Sequence, residues 1–159
     1  MDQQNHAKAT QAMNSGYRSL ALQTAIGGLI MYLVMFVMID RTSSFYNNLN
    51  MFYMTLMMVA PMVFLMIVSM RHMFPSRAVN GALIAVSLIV FFGSFILIRT
   101  QTTIGDTQFL RSMIPHHSGA VLMCEQAKLT DPEITSLCTN IIRSQREEIA
   151  QMEAILGRR

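Results

Sequence analysis

The stretch Ser112–Cys124, SMIPHHSGAVLMC, holds two adjacent histidines, two methionines and a cysteine within thirteen residues. Thioethers and thiolates are soft donors and imidazole is borderline. Met113, His116, His117 and Met123 together therefore suit Cu(I), and silver by the same logic. A hard cation such as Mg²⁺ or Ca²⁺ wants oxygen ligands, which are few here. A tetrahedral zinc site from the histidines with Cys124 and Cys138 is the competing metal reading, but no C-x-x-C spacing supports it. Ligation requires neutral imidazoles, so affinity should fall on acidification. Ordinary core packing of histidine and methionine is the plain alternative.

These residues need a helix to bring them together. At 100° per residue, Phe109, Met113, His116, His117, Ala120, Met123 and Cys124 fall within about 120° of arc, one helix face. The segment TDPE marks a turn and a second start, with Asp131 as cap, Pro132 in the first turn and Glu133 at the positive end of the dipole. The second helix runs to about Leu156, with Gly157 as stop. Asp106 is the expected cap of the first helix, and Pro115 either kinks that helix or marks its regular start. In an antiparallel hairpin turning at residues 130–131, Cys124 sits level with Cys138. His117 then faces Gln145, Met113 faces Glu148 and Phe109 faces Met152. Gln145 and Glu148 are candidates to orient the histidines by hydrogen bonds. Their alternative is a solvated edge. The cysteines form a disulfide outside the cytoplasm or ligate metal; the bridge needs a Cα separation of about 4.4–6.8 Å.

The rest of the chain is a setting for that hairpin. The sequence is 52% hydrophobic and 13% charged, too apolar for an ordinary soluble domain. Three uncharged runs, Leu20–Ile39, Leu49–Met70 and Val79–Ile98, are each long enough to cross a bilayer. The expected organisation is a polar tail over 1–19, a three-helix transmembrane unit over 20–98, a linker over 99–105 and a helical hairpin over 106–159. The fold class is all-α. The first run is too long for a signal peptide and lacks a cleavage site, so it reads as a retained anchor. From Arg99 onward acidic and basic residues balance, so the formal charge of +3 sits in the first 98 residues. That excess is a membrane-topology signal and not a nucleic-acid patch. Lys8, Arg18, Arg71 and Arg77 against Arg41 and Arg99 place the N-terminus in the cytoplasm and the C-terminal domain outside.

The second run carries methionines at three- and four-residue steps, among them Met54, Met58, Met62 and Met66. Flexible packing explains such a stripe; a soft-metal relay is its functional reading. Pro61 should kink this helix and free a carbonyl near Met57. No charge lies inside any run, which argues against a proton-coupled pump. No nucleotide-binding motif is present.

The segments FLRSMIPHHSGAVLMCEQA and DPEI…II…Q…EI…M resemble the bacterial domain-of-unknown-function family 305 over about residues 106–156, with a looser likeness to its membrane-anchored branch upstream. The resemblance implies a ferritin-like helical fold and, as in some members, copper binding through methionine and histidine in copper tolerance outside the cytoplasm. By it Met113, His116, His117 and Met123 become candidate copper ligands, and Met152 matches a family methionine. Cys124 and Cys138 lie outside that motif. Only one hairpin is present where the family often has two, and two helices bury little core. A homodimer completing a four-helix bundle is therefore expected.

The resulting expectation is a bacterial inner-membrane protein that sequesters Cu(I) or passes it to a copper-handling partner, with no catalytic step. A di-iron oxidase would use Glu-x-x-His pairs, and none of the glutamates has histidine three residues on. The alternatives are a structural or pH-sensing assembly module, its histidine pair gaining charge on acidification, and a soft-metal transport accessory resting on the methionine stripe.

Overall fold

The computed structural model describes residues 2–159, with side chains from Ser15 onward. Five α-helices and no strand occur among the described residues: α1 Asp2–Val34, α2 Leu49–Ser69, α3 Arg77–Thr100, α4 Asp106–Gln126 and α5 Pro132–Leu156. They form two compact units. One comprises the chain up to Tyr32 with Tyr53–Thr100, the other Leu33–Phe52 with Gln101–Arg159.

In the first unit α1 lies antiparallel to α2. Leu20, Ile67 and Phe74 make its buried cluster, with Tyr17, Val63 and Leu83 packed around them. Further along, Gly28 lies against Val59 and Gly27 against Met62. A Cβ on Gly16 would stand 3.0 Å from the Met73 carbonyl oxygen, so glycine is what lets the two backbones meet there. The end of the unit is tied by Tyr17, whose hydroxyl donates to Asn80 Oδ1 (2.7 Å), while Asn80 Nδ2 donates to the Phe74 carbonyl (2.7 Å).

Two helices, α2 and α3, are long and apolar enough to cross a membrane, and not the three expected. The expected first span fails because α1 stops at Val34, and residues 35–38 turn away from the helix. Its apolar part, Leu20–Val34, is then only about 22 Å long at ~1.5 Å per residue, short of a ~30 Å hydrocarbon core. Phe36, by contrast, is buried in the second unit and packs on the Phe45 ring. Both helices are mostly unburied. Thr55, Ala60 and Ile67 of α2 and Ser87 and Ser94 of α3 are buried, while Leu65, Ile89, Phe92 and Ile96 face outward. Helix α2 continues through Pro61.

In the second unit α4 and α5 pack as an antiparallel hairpin. Asp131 caps α5 by accepting from the backbone N–H of Glu133 and Ile134, with Pro132 in the first turn. Gly157 follows the last turn in right-handed conformation. At the other start Gly105, and not Asp106, holds the cap position, and Asp106 pairs instead with Arg159 (2.8 Å). Leu110, Ile114 and Met152 form the core between the helices.

Helix α4 runs unbroken through Pro115 from Asp106. Proline has no N–H for the carbonyl four residues back, that of Arg111. That carbonyl accepts instead from Asn48 Nδ2 (3.4 Å). Asn48 also caps α2, its Oδ1 accepting from the Met51 N–H (2.9 Å). Nearby, Ser118 Oγ donates to Asp40 Oδ1 and accepts from the Asp40 N–H. Gly119 leaves room for the Met38 backbone. The connection between α1 and α2 thus covers the side of α4 that α5 leaves open.

Candidate functional site

This second cover decides where the metal-ligand candidates point. A face centred near Phe109 was expected to turn into the hairpin. In the structure the buried face of α4 is rotated about one residue, to Leu110, Ile114, His117 and Val121, with Ser118 and Gly119 under the 36–48 connection. Phe109 and Met123 are 51% and 61% exposed, and His116 is exposed as well. Met113 sits at the boundary and packs against the Leu110–Ile114–Met152 core. The four candidates therefore divide: His117 points inward, His116 and Met123 outward, with Met113 between. The rotation follows from burying two sides of α4, where an isolated hairpin buries one.

His117 is the most constrained of them. Its Nδ1–H donates to the Met113 carbonyl (2.9 Å), since a carbonyl can only accept. Its Nε2 lies 2.7 Å from Glu148 Oε2. The backbone bond fixes Nε2 as the nitrogen whose lone pair a metal could use, the usual arrangement of a ligating histidine. Glu148 holds that position here, and its side chain is half exposed, so it can swing away. Glu148 was expected level with Met113 and as a hydrogen-bond partner of the histidines; it meets His117, one turn along. No hydrogen bond joins Gln145 to either histidine among the described residues. Met152 is buried in the hairpin core, a packing role.

The rings of His116 and His117 have centroids 6.1 Å apart. No three His, Cys, Asp or Glu side chains converge as a metal site among the described residues.

Cys124 and Cys138 form a disulfide with Cα atoms 5.3 Å apart, at the common height that the hairpin register gives them. In this state neither is a thiolate ligand. Glu125 and Arg146 form an ion pair across the same hairpin. The methionine stripe divides too. Met54 and Met58 are exposed on the outer surface of α2, Met62 lies against Gly27, and Met66 packs against the Leu20–Ile67–Phe74 cluster.

Sequence reasoning missed the role of Asp40, Asn48 and Ser118. One available signal was Asp40, an acid ending an apolar run. Pro115 was another, because its orphaned carbonyl needs a donor from outside the helix.

Residues 97–156, covering the end of α3 and the whole hairpin, match the family described as Domain of unknown function (DUF305). An uncharacterized protein of Acanthamoeba polyphaga mimivirus is 39% identical over 115 residues, 70% of this chain and 73% of that protein. The chain belongs to the DUF305 family. The viral alignment is nearly twice as long as the DUF305 match, so likeness extends into the helices upstream. No solved structure matches the chain. The two histidines, Met113 and Met123 all lie inside the DUF305 segment.

Proposed function

We propose that this DUF305 protein is a membrane-anchored copper-binding protein that holds Cu(I) outside the cytoplasm, sequestering it or handing it to a partner. The observation that carries the reading is His117, with Nδ1 held by the Met113 carbonyl and Nε2 aimed at a displaceable carboxylate beside a second imidazole. Met113, His116, His117 and Met123 supply the ligands, and no turnover is involved. Silver shares the same soft-donor chemistry; zinc is disfavoured because the cysteines are bridged.

The outward face of α4 bears Phe109, His116 and Met123 around the small Ala120, a surface suited to packing on another helix. A second copy seated there makes a ferritin-like four-helix arrangement and brings the partner's His116 and Met123 toward the first. The homodimer is the form that completes the coordination shell.

Placement in a bilayer rests on α2 and α3. Arg71 and Arg77 flank their short connection. Basic residues favour the cytoplasmic side, which leaves the hairpin outside, at the inner membrane if the host is bacterial. A disulfide suits that compartment.

The test is a Cu(I) competition titration of the full protein in detergent, under ascorbate, beside Met113→Ala/His116→Ala/His117→Ala, with masses by light scattering. Stoichiometric binding lost in the variant, on a dimer, is the expected result. Weak binding equal in both favours the second reading, a pH-sensing assembly module. That reading draws on the His117–Glu148 contact, because both ring nitrogens are engaged only when the imidazole is doubly protonated or the carboxyl carries the proton. Transport along the methionine stripe is the weaker option, since Met54 and Met58 are exposed while Met62 and Met66 are engaged in packing.

A further inference from the structure

The imidazole–thioether reading leaves the bridged cysteines without a task. Cys124 and Cys138 are only half-buried, so a small reductant reaches them. Exposed apolar side chains adjoin them along both helices: Met123, Leu137 and, one turn before Cys138, Ile134. Met123 and Leu137 each precede a bridging cysteine by one residue, so each lies about 100° round its helix from the bridge. In an antiparallel pair that meets through the cysteines, equal offsets fall on the same side. That side is open, since the 36–48 connection covers α4 at Ser118 and Gly119.

The hairpin does not depend on the bridge to bring the pair together. Asp131 caps α5 through the Glu133 and Ile134 N–H groups. The Ala127 N–H donates to the Met123 carbonyl (3.1 Å), and the Leu129 N–H to that of Ala127 (3.0 Å). Glu125 pairs with Arg146 across the hairpin, and Leu110, Ile114 and Met152 pack between its helices. These contacts hold the two helices on both flanks of the cysteines, whose Cα atoms stand 5.3 Å apart. Opening the bridge therefore leaves two thiols facing each other at one height.

Two facing thiolates select the ion. Structural zinc is almost always four-coordinate, and no group of three His, Cys, Asp or Glu side chains includes this pair among the described residues. Cu(I) is soft, prefers thiolate, and is satisfied by two donors. A metal–sulfur bond of about 2.3 Å asks the sulfurs to stand up to ~4.6 Å apart. Rotation about each Cα–Cβ bond supplies that at the observed backbone spacing.

We infer that Cys124 and Cys138 form a second Cu(I) site, closed by the disulfide and opened by a thiol reductant. Two thiols, RSH, give two electrons and two protons to the bridge, leaving two cysteine thiols and one RSSR. Cu(I) then displaces the two thiol protons. Exchange with a disulfide runs the sequence backwards: the cysteines re-form their bridge, RSSR becomes two RSH, and the ion is expelled. The site rests on the turn and its cysteines and not on the imidazole–thioether reading.

An anaerobic titration of the full protein in detergent tests it, with Cu(I) competing against a Cu(I) chelator. Bridged protein is compared with protein reduced by a phosphine and then freed of it. Reduction should add one Cu(I) per chain, held about tenfold or more tighter than copper on the bridged protein, with helix content unchanged. The added ion should bring an ultraviolet thiolate-to-copper absorption that the bridged protein lacks. Met113→Ala/His116→Ala/His117→Ala should keep the added ion, and Cys124→Ser/Cys138→Ser should lack it. Equal stoichiometry and affinity in bridged and reduced wild type overturns the inference, as does loss of helix on reduction. Both arms use the unmodified chain, so a misfolded variant does not decide the matter. Failure of the imidazole–thioether reading looks different: no copper on the bridged protein and one ion on the reduced one.

Discussion

The two units differ in what they leave outside. Around α2 and α3 the inside holds Ala60 and Ile67 with Thr55, Ser87 and Ser94, and the outside holds Leu65, Ile89 and Phe92. Around α4 the inside holds Leu110, Ile114 and Val121 with His117 and Ser118, whose polar atoms are bonded. In the proposed reading exposure therefore means different things in the two: in the first an exposed leucine would meet lipid, and in the second an exposed Met123 would be open to a metal or a partner.

The largest effect that would break this contrast concerns the hairpin alone. The bridge at a separation of 14 residues should contribute about 3 kcal/mol by restricting the unfolded chain. Cys124→Ser/Cys138→Ser should lower the midpoint for α4 and α5 and leave the first unit's helix signal in place, read by hydrogen exchange. Loss of both units together would make them one cooperative body. A matched pair of surface substitutions sharpens the same contrast. Ile89 is 70% exposed and Leu137 57%. Ile89→Asp should cost ~3 kcal/mol of membrane insertion, and Leu137→Asp about ±0.5 kcal/mol. Equal tolerance in an insertion assay would remove the bilayer from the account.

Next in size is the connection on α4. Asp40→Ala removes the carboxylate that accepts from Ser118 Oγ, keeps the backbone bond, and should cost roughly 1–3 kcal/mol, with faster amide exchange at residues 36–48. Unchanged protection there would show the cover to be incidental. The exposed Asp106–Arg159 pair comes last. Asp106→Asn should change stability by under about 1 kcal/mol.

Much of this was legible in the sequence for local reasons. Asp131, Pro132 and Glu133 start α5 through contacts within one turn, so their order alone announces it. The register of a short hairpin is likewise local, and it brings Cys124 to Cys138. The direction of α4's faces was not legible, because it depends on Asp40 and Asn48, separated from their α4 partners by more than sixty residues. Periodicity gave the existence of a face, and a distant connection set its rotation. The failed first span has the same origin: apolar residues 35–39 look like helix, yet Phe36 finds burial in the other unit. His117 kept its predicted inward position, and His116 lost it to a rotation that adjacent residues cannot reveal.

In the proposed function copper is held by imidazole and thioether from the α4 face. X-ray absorption at the copper edge of the loaded, disulfide-closed protein tests it directly. Sulfur and nitrogen scatterers together are expected, with sulfur diminished in Met123→Leu and imidazole scattering lost in His116→Ala/His117→Ala. A shell of nitrogen and oxygen only, unchanged in Met123→Leu, would contradict it.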